Sequence, residues 1–431
     1  MLESFFRIKE EGSSVRTEVI AGITTFLTMS YIIFVNPDIL STTGMDRNAV
    51  FVATCLAAAL GSAIMALLPR WPIGMAPGMG LNAFFAFTVV GAMGFTWQQA
   101  LGAVFISGVI FLVLTLTGAR AWIISGIPKS MRSAIAAGIG LFLAIIALSS
   151  SQIVVANPAT LVSLGDLTQT GPLLAIAGFF IIAALDALKV RGSILLGILI
   201  ITVVSMLLGV SQFNGVVSMP PSIAPTFLQL DIMGALHSGL LYVILVLVLV
   251  EVFDATGTLI GVAKRAGLMP DDKPNRLGKA LLADSTAIVA GSVLGTSSTT
   301  AYVESASGVQ AGGRTGLTAL VVALLFLAAL FFAPLAGSVP VYATAPALLY
   351  VACLMMRELL DVEWEEITEA APAALTALMM PFTYSIANGL AFGFISYALL
   401  KTLTGRYRDV HPATWLVAGL FIIRFVMVGS E

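Results

Sequence analysis

The sequence is poor in charge. Asp, Glu, Lys and Arg make up 10% of its 431 residues, against about 25% in an ordinary soluble domain. Its 21 basic and 23 acidic side chains cannot cover a globular surface of this size with solvated groups. A soluble enzyme, a nucleic-acid binder and a disordered scaffold are thereby excluded. A formal net charge of −2 supplies no basic field for nucleic acid. Cysteine is nearly absent: Cys55 and Cys353 each lie in an apolar run, so there is no disulfide framework and no clue to the redox compartment. Histidine is equally scarce. His237 and His411 are far apart and flank apolar segments, and no His-Glu-x-x-His pattern, Cys cluster or His-rich tract is there to hold a metal. No cofactor is expected.

Apolar length is what the chain has in abundance, at 58% of residues. Runs of about 17–25 apolar residues read as membrane helices. They fall near 17–36, 48–68, 78–92, 98–119, 130–149, 171–188, 192–210, 238–262, 278–294, 301–312, 316–335, 341–358, 367–384 and 386–403, fourteen segments in all. A further stretch at 413–428 carries Arg424 and reads as an extra helix that leaves the topology unchanged. The first run is too long for a cleavable signal peptide and lacks an Ala-x-Ala site. Before it, Leu2, Phe5, Phe6 and Ile8 interleaved with Glu3, Arg7 and Lys9 read as a short interfacial helix.

Charge then tests the span count. With a cytoplasmic N-terminus, every Lys and Arg except Arg47 and Arg424 falls inside, Arg120 and Lys273 among them, and the long outer loops 150–170 and 211–237 contain neither residue type. The expectation is an all-α multi-pass protein of the plasma (inner) membrane, with fourteen transmembrane segments and both ends of the core cytoplasmic.

The two halves echo each other. Leu60-Gly61-Ser62 closes one apolar segment and Ala290-Gly291-Ser292 another; Ile127-Pro128 opens the fifth segment as Val339-Pro340 opens the twelfth; Gly192 and Gly197 in the seventh resemble Gly389 and Gly393 in the fourteenth. Their common order marks a 7+7 repeat. Seven is odd, so the second copy enters from the opposite side, which makes the repeat inverted, a secondary-transporter architecture. Such folds place substrate where corresponding segments are broken. In the third, Pro72-Ile-Gly-Met-Ala-Pro77-Gly78-Met-Gly80 precedes a short apolar run; in the tenth, Gly295-Thr-Ser-Ser-Thr-Thr300 does the same. Neither can span as one helix, so short extended stretches are expected there, buried in protein or lining a cavity.

Ionisable residues at mid-membrane are costly and usually functional. Glu251, Asp254, Asp284 and Glu304 are the deepest. Glu251, Asp254 and Thr258 follow i, i+3, i+7 spacing and share one helix face. No Lys or Arg lies at comparable depth, so these carboxyls are expected to lack a cationic partner. Such a group carries a proton or accepts N–H donors from a polar ligand. Glu251, Asp254 and Glu304 are the candidates for proton coupling, with Asp284 and Thr258 in a structural or coupling role. Asn82 supplies both donor and acceptor, Phe84 offers a face for stacking on a flat ring, and Thr300 and Ala301 flank the tenth break. With Glu251 and Glu304 these are the candidate substrate contacts.

At these residues the chain resembles the nucleobase–ascorbate and purine permease superfamily, and within it the AzgA-like branch of adenine/guanine/hypoxanthine permeases. The resemblance lies in Thr24-Thr-Phe-Leu-Thr-Met-Ser-Tyr-Ile-Ile-Phe-Val-Asn-Pro37, Met75-Ala-Pro-Gly-Met-Gly-Leu-Asn-Ala-Phe84, Glu251-Val-Phe-Asp-Ala-Thr-Gly-Thr-Leu259 and Ala283-Asp-Ser-Thr to Gly295-Thr-Ser-Ser-Thr-Thr-Ala-Tyr-Val-Glu-Ser-Ala-Ser-Gly308. It implies a core domain formed by 1–125 (segments 1–4) and 236–337 (segments 8–11), and a gate domain formed by 126–212 (segments 5–7) and 338–431 (segments 12–14 and the C-terminal helix). It also implies substrate between the domains at the third and tenth segments, Glu251 and Glu304 as acidic substrate contacts, Asn82 as the polar residue of the third segment and Asp254 as a second acidic position of the eighth. The branch commonly has Asp where this chain has Glu251, which lengthens the side chain's reach.

The expected activity is import of purine nucleobases (adenine, guanine, hypoxanthine) by proton symport and alternating access, in an elevator or rocking motion, by a homodimer in contact with membrane lipid. The alternative is uracil, xanthine or another small solute on the same fold. An anion transporter needs a cationic group at the site, and no Lys or Arg is expected near it. An intramembrane enzyme would need a nucleophile–base pair, for which there is no mid-membrane His, and two occluding half-helices suit alternating access better than a channel.

Overall fold

The computed structural model describes residues 2–236, 238–268 and 276–428. The readings made for His237 and Lys273 lie outside the described residues. In hydrocarbon every backbone N–H must find its partner within the protein, so apolar runs become helices. Among the described residues ten helices are long and apolar enough to cross a membrane, beginning with Val15–Ser41 and ending with Ile386–Leu403. The expected third, seventh and thirteenth segments are the shorter apolar helices Met79–Ala92, Ser193–Leu207 and Ile367–Phe382, and the C-terminal stretch is another. The tenth carries only the six-residue helix Ser305–Gln310.

Local chemistry sets several of the starts. Ser14, Asp46 and Ser385 each accept a backbone N–H at a helix N-terminus, and Thr96 with Gln99 forms a reciprocal capping box; such caps stabilise by about 1 kcal/mol each. The echoed Pro128 and Pro340 both stand at N-caps, of Lys129–Ser150 and Val341–Met355.

Four short strands occur among the described residues: β1 Met75–Pro77, β2 Val154–Asn157, β3 Leu161–Leu164 and β4 Thr299–Ala301. β2 and β3 form a hairpin in the expected outer loop. β1 and β4 are the extended stretches of the third and tenth segments, and they pair antiparallel, Met75 opposite Ala301, Ala76 opposite Thr300 and Pro77 opposite Thr299. The ladder continues beyond the strands. Gly78 N–H donates to Ser298 O (2.8 Å), Tyr302 N–H to Gly74 O (3.0 Å) and the Tyr302 hydroxyl to Pro77 O (2.6 Å). Each broken segment thus supplies the backbone partners that the other lacks, and antiparallel pairing is what entry from opposite sides produces.

The Gly-Ser echo has its reason here. Ser62 Oγ accepts from Met75 N–H (2.9 Å) and lies 3.2 Å from Met75 O. A Cβ on Gly61 would press on Met75 Cβ at 3.1 Å, and one on Gly291 would collide with the Thr299 hydroxyl. The two glycines let the paired strands lie flat against the helices Arg47–Leu67 and Leu277–Leu294.

The helices form two sets. Val15–Met29, Arg47–Leu67, Trp97–Leu116, Ser238–Arg265, Leu277–Leu294 and Gly316–Ala329 pack mostly on one another, as do Lys129–Ser150, Thr170–Ala187, Ser193–Leu207, Val341–Met355, Ile367–Phe382 and Ile386–Leu403. Contacts between the sets include the hydroxyl of Thr88 donating to Tyr384 O (3.0 Å), the hydroxyl of Thr344 donating to Asp38 (3.0 Å), and Gly80, where a Cβ would strike Ile139 at 2.5 Å. Within the first set, the fully buried Glu18 accepts from Arg314 N–H (2.9 Å), Thr315 N–H (3.2 Å) and the Thr318 hydroxyl (2.6 Å). It braces the turn that leads into the Gly316–Ala329 helix, whose own cap is the Thr315 side chain. The C-terminal helix Pro412–Val428 packs on Ile386–Leu403. Its lone cation is satisfied internally: Arg424 donates to Asn388 Oδ1 (3.0 Å) and lies 3.7 Å over the Tyr242 ring.

Candidate functional site

Helix Ser238–Arg265 carries Glu251 into the interior, where its residue is 1% exposed. Ser107 Oγ donates to Glu251 Oε1 at 3.3 Å. Glu251 Oε2 and Ser298 Oγ are both buried without a well-formed hydrogen bond among the described residues, and the Ser298 hydroxyl faces the carboxyl from the start of the β4 crossing. Buried polar atoms are nearly always well paired, so an acceptor and a hydroxyl that face each other without a well-formed bond mark a place where a polar ligand can enter between them.

Asp284 is completely buried on helix Leu277–Leu294; the hydroxyl of Thr300 donates to its Oδ1 at 3.3 Å. Its ionic partner is Arg120, whose Nη2 lies 3.6 Å from Asp284 Oδ2 with both side chains wholly inaccessible. Arg120 also donates twice to Thr256 Oγ1, from Nε (3.0 Å) and Nη2 (2.7 Å), and lies 4.0 Å over the Phe111 ring. This corrects the expectation that the deep carboxylates lack a cation. Arg120 reads as an inner-loop marker along the chain, but the helix Ala119–Ser125 brings it inward, where a buried cation needs a counter-charge. Lys401 and Glu369 form a second buried pair at 2.9 Å. The argument against an anionic substrate therefore cannot rest on missing cations; it rests on Arg120 already being matched by Asp284.

Glu304 immediately precedes the short helix Ser305–Gln310, and its carboxyl accepts from the Tyr31 hydroxyl at 2.6 Å. Its described partner therefore differs from that of Glu251. Asn82 is fully buried in a brace. Its Nδ2 donates to Asn36 Oδ1 (2.5 Å), its Oδ1 accepts from the Ser297 hydroxyl, and Asn36 donates to Thr54 (2.7 Å) and Thr296 (2.9 Å). This brace ties both broken segments to the helices Ile32–Ser41 and Arg47–Leu67. Asn82→Ala is expected to destabilise the fold by about 2 kcal/mol or more, because buried partners lose their bonds. A lower unfolding temperature in detergent, before any ligand is added, checks this; an unchanged temperature would leave Asn82 only a ligand-reading role.

Phe84 is fully buried in the main apolar core and begins a π-helical stretch, Phe84–Ala92. From that stretch Phe87 meets Tyr384 edge-on (6.2 Å between ring centres), and Tyr384 meets Phe142 (5.5 Å), so Phe87 is the aromatic that reaches the second helix set. Thr300 packs its methyl towards Gly78, and Ala301 joins an apolar cluster with Trp71, Ile73, Met75 and Leu259. Thr258 is half-buried. The side chain of Asp254 lies outside those described. Ser107 escaped the sequence reading and Arg120 figured there only as an inner-side charge, whereas Thr256, Tyr31, Asn36 and Ser298 lie within the signature stretches quoted above.

A family model described as a permease family (Xan_ur_permease) matches residues 16–392. The chain is 51% identical to the adenine permease AdeP of Escherichia coli K12, over all of this chain and 97% of that protein. It is 46% identical to the guanine/hypoxanthine permease PbuG of Bacillus subtilis 168, over 99% of this chain and the whole of that protein. Among solved structures, the transmembrane domain of the cyanobacterial bicarbonate transporter BicA superposes with a TM-score of 0.68 at 17% identity, covering 86% of this chain and 97% of that one. Murine Slc26a9, an anion transporter in the inward-facing state, gives 0.65 at 10% identity, covering 94% and 72%. At such identities these two establish the fold alone.

Proposed function

The chain belongs to the permease family matched over residues 16–392, and from that premise we propose that it imports purine nucleobases by proton symport. Relatives named as adenine and guanine/hypoxanthine permeases support the substrate class. The observation that carries the site is the loosely paired Glu251 Oε2 and Ser298 Oγ, buried without a well-formed bond where the paired strands meet the Ser238–Arg265 helix. A flat heterocycle with ring N–H and amino groups satisfies both: the carboxyl accepts, and the hydroxyl reads a ring nitrogen or carbonyl. Glu251 carries the coupling proton, and Glu304 contributes from the tenth segment.

The two helix sets support a core of 1–125 and 236–337 moving against a gate of 126–212 and 338–431, and the Lys and Arg bias along the sequence supports a cytoplasmic N-terminus in an inner membrane. Their close approach at Gly80 and Ile139 supplies a smooth contact between them.

The test is uptake into proteoliposomes with a panel of adenine, guanine, hypoxanthine, xanthine and uracil. The expected result is accumulation of at least one of the first three, raised by a gradient that is acidic outside. Accumulation of none of the three overturns the proposal, and accumulation that ignores the gradient removes the proton.

A further inference from the structure

Glu251 and Asp284 share one buried site, and a single guanidinium faces both. We infer that Arg120 is a positioning residue that assigns the coupling proton: by holding Asp284 as its ionised partner, it leaves Glu251 as the carboxyl that gains and loses the proton. This deepens the symport reading above and rests on it.

The argument is one of charge balance. A buried charge must be paired or neutralised, and one guanidinium neutralises one carboxylate. Arg120 spends its direct contact on Asp284 (3.6 Å), and Thr256 and Phe111 hold the guanidinium there. Among the described residues Glu251 meets only neutral hydroxyls at close range, Ser107 on Oε1 and Ser298 facing the carboxyl. With a proton on Glu251 the three groups sum to zero; without it they sum to a net negative charge that favours taking one up. The proton adds to a Glu251 carboxylate oxygen, forming an O–H bond while the site faces outward. That bond breaks when the proton leaves to cytoplasmic water, and nothing else is consumed.

Among the described residues, the surrounding elements offer no further charge in direct contact with Glu251. Trp97–Leu116 contributes Ser107 and carries no titratable group; Leu277–Leu294 contributes Asp284, with Lys279 in its first turn; Lys129–Ser150 carries Lys129 and Arg132 at its start. Glu304, ahead of Ser305–Gln310, is bonded to Tyr31. On the same helix as Glu251, the side chain of Asp254 is outside those described.

The experiment compares wild type with Asp284→Asn and with the double variant Arg120→Met/Asp284→Asn, reconstituted in proteoliposomes. The readout is the ratio of adenine uptake with and without an inside-alkaline gradient, which the amount of folded protein does not change. In Asp284→Asn the freed guanidinium turns to Glu251 and holds it ionised, so the gradient response is expected to fall about tenfold or more. Removing the cation as well restores that response in the double variant. A retained response in Asp284→Asn, or no recovery in a monodisperse double variant, overturns the inference while leaving purine symport standing. If Asp284→Asn does not fold, the double variant decides alone. A wild type that takes up no purine overturns both.

Discussion

Glu251→Gln is expected to cut gradient-driven purine uptake about 100-fold while the protein stays folded. The amide is nearly isosteric, and its oxygen still accepts from Ser107, whose hydroxyl is 3.3 Å away. What it loses is twofold. Hydrogen bonds to a charged group contribute about 1.5–3 kcal/mol, which corresponds to roughly 10–100-fold in affinity. An amide oxygen also does not take up a proton in the physiological range, so the gradient ceases to drive accumulation. Uptake with and without the gradient, set beside the unfolding temperature in detergent, separates these effects from misfolding. An undiminished gradient response in Glu251→Gln would move the proton elsewhere. Glu251→Asp withdraws the carboxyl by one methylene and is expected to retain coupling with altered preference among purines.

Glu18→Ala carries the largest expected structural effect. This carboxylate is fully buried and accepts from two backbone N–H groups and one hydroxyl at the start of the Gly316–Ala329 helix. An anion there also complements the partial positive charge of a helix N-terminus. Its removal leaves the Arg314 and Thr315 N–H groups without their acceptor, while the Thr318 hydroxyl keeps the Glu18 carbonyl at 3.3 Å, at an expected cost of about 2–4 kcal/mol. The measurement is thermal unfolding of detergent-solubilised protein together with the yield of monodisperse material. Glu18→Gln keeps an acceptor and is expected to fall between the two. Equal unfolding temperatures for Glu18→Ala and wild type would mean that other groups, or water, satisfy these N–H donors.

Much of this architecture is legible along the chain because hydrophobic length and breaks in it are local properties. The runs of apolar residues coincide with helices, the Gly- and Pro-interrupted third and tenth segments contain β1 and β4, and the Gly-Ser pairs at 61–62 and 291–292 sit where those strands press on helices. Glu251 is legible too, since a carboxyl in an apolar run has few reasons to be there. Asn82 was legible only as a buried polar group; its use as a brace depends on Asn36, Ser297 and Thr296 arriving from other segments. The aromatic stretch offers three phenylalanines close together, and only packing shows that Phe84 belongs to the core while Phe87 reaches Tyr384.

The shortage of charge determined by itself that the chain lives in a membrane, and the few charges it has divide into markers at helix ends and carboxyls within helices. Which of those carboxyls stands alone was a tertiary decision. Arg120 lies 136 positions from Thr256, whose hydroxyl it grips, and further still from Asp284. No periodicity or spacing connects residues so far apart. Their pairing follows from where helices meet, and a buried guanidinium must find a counter-charge among whatever side chains that meeting provides. Composition set the cost of each buried charge; the fold chose the partner that offsets it, and so left Glu251 without one.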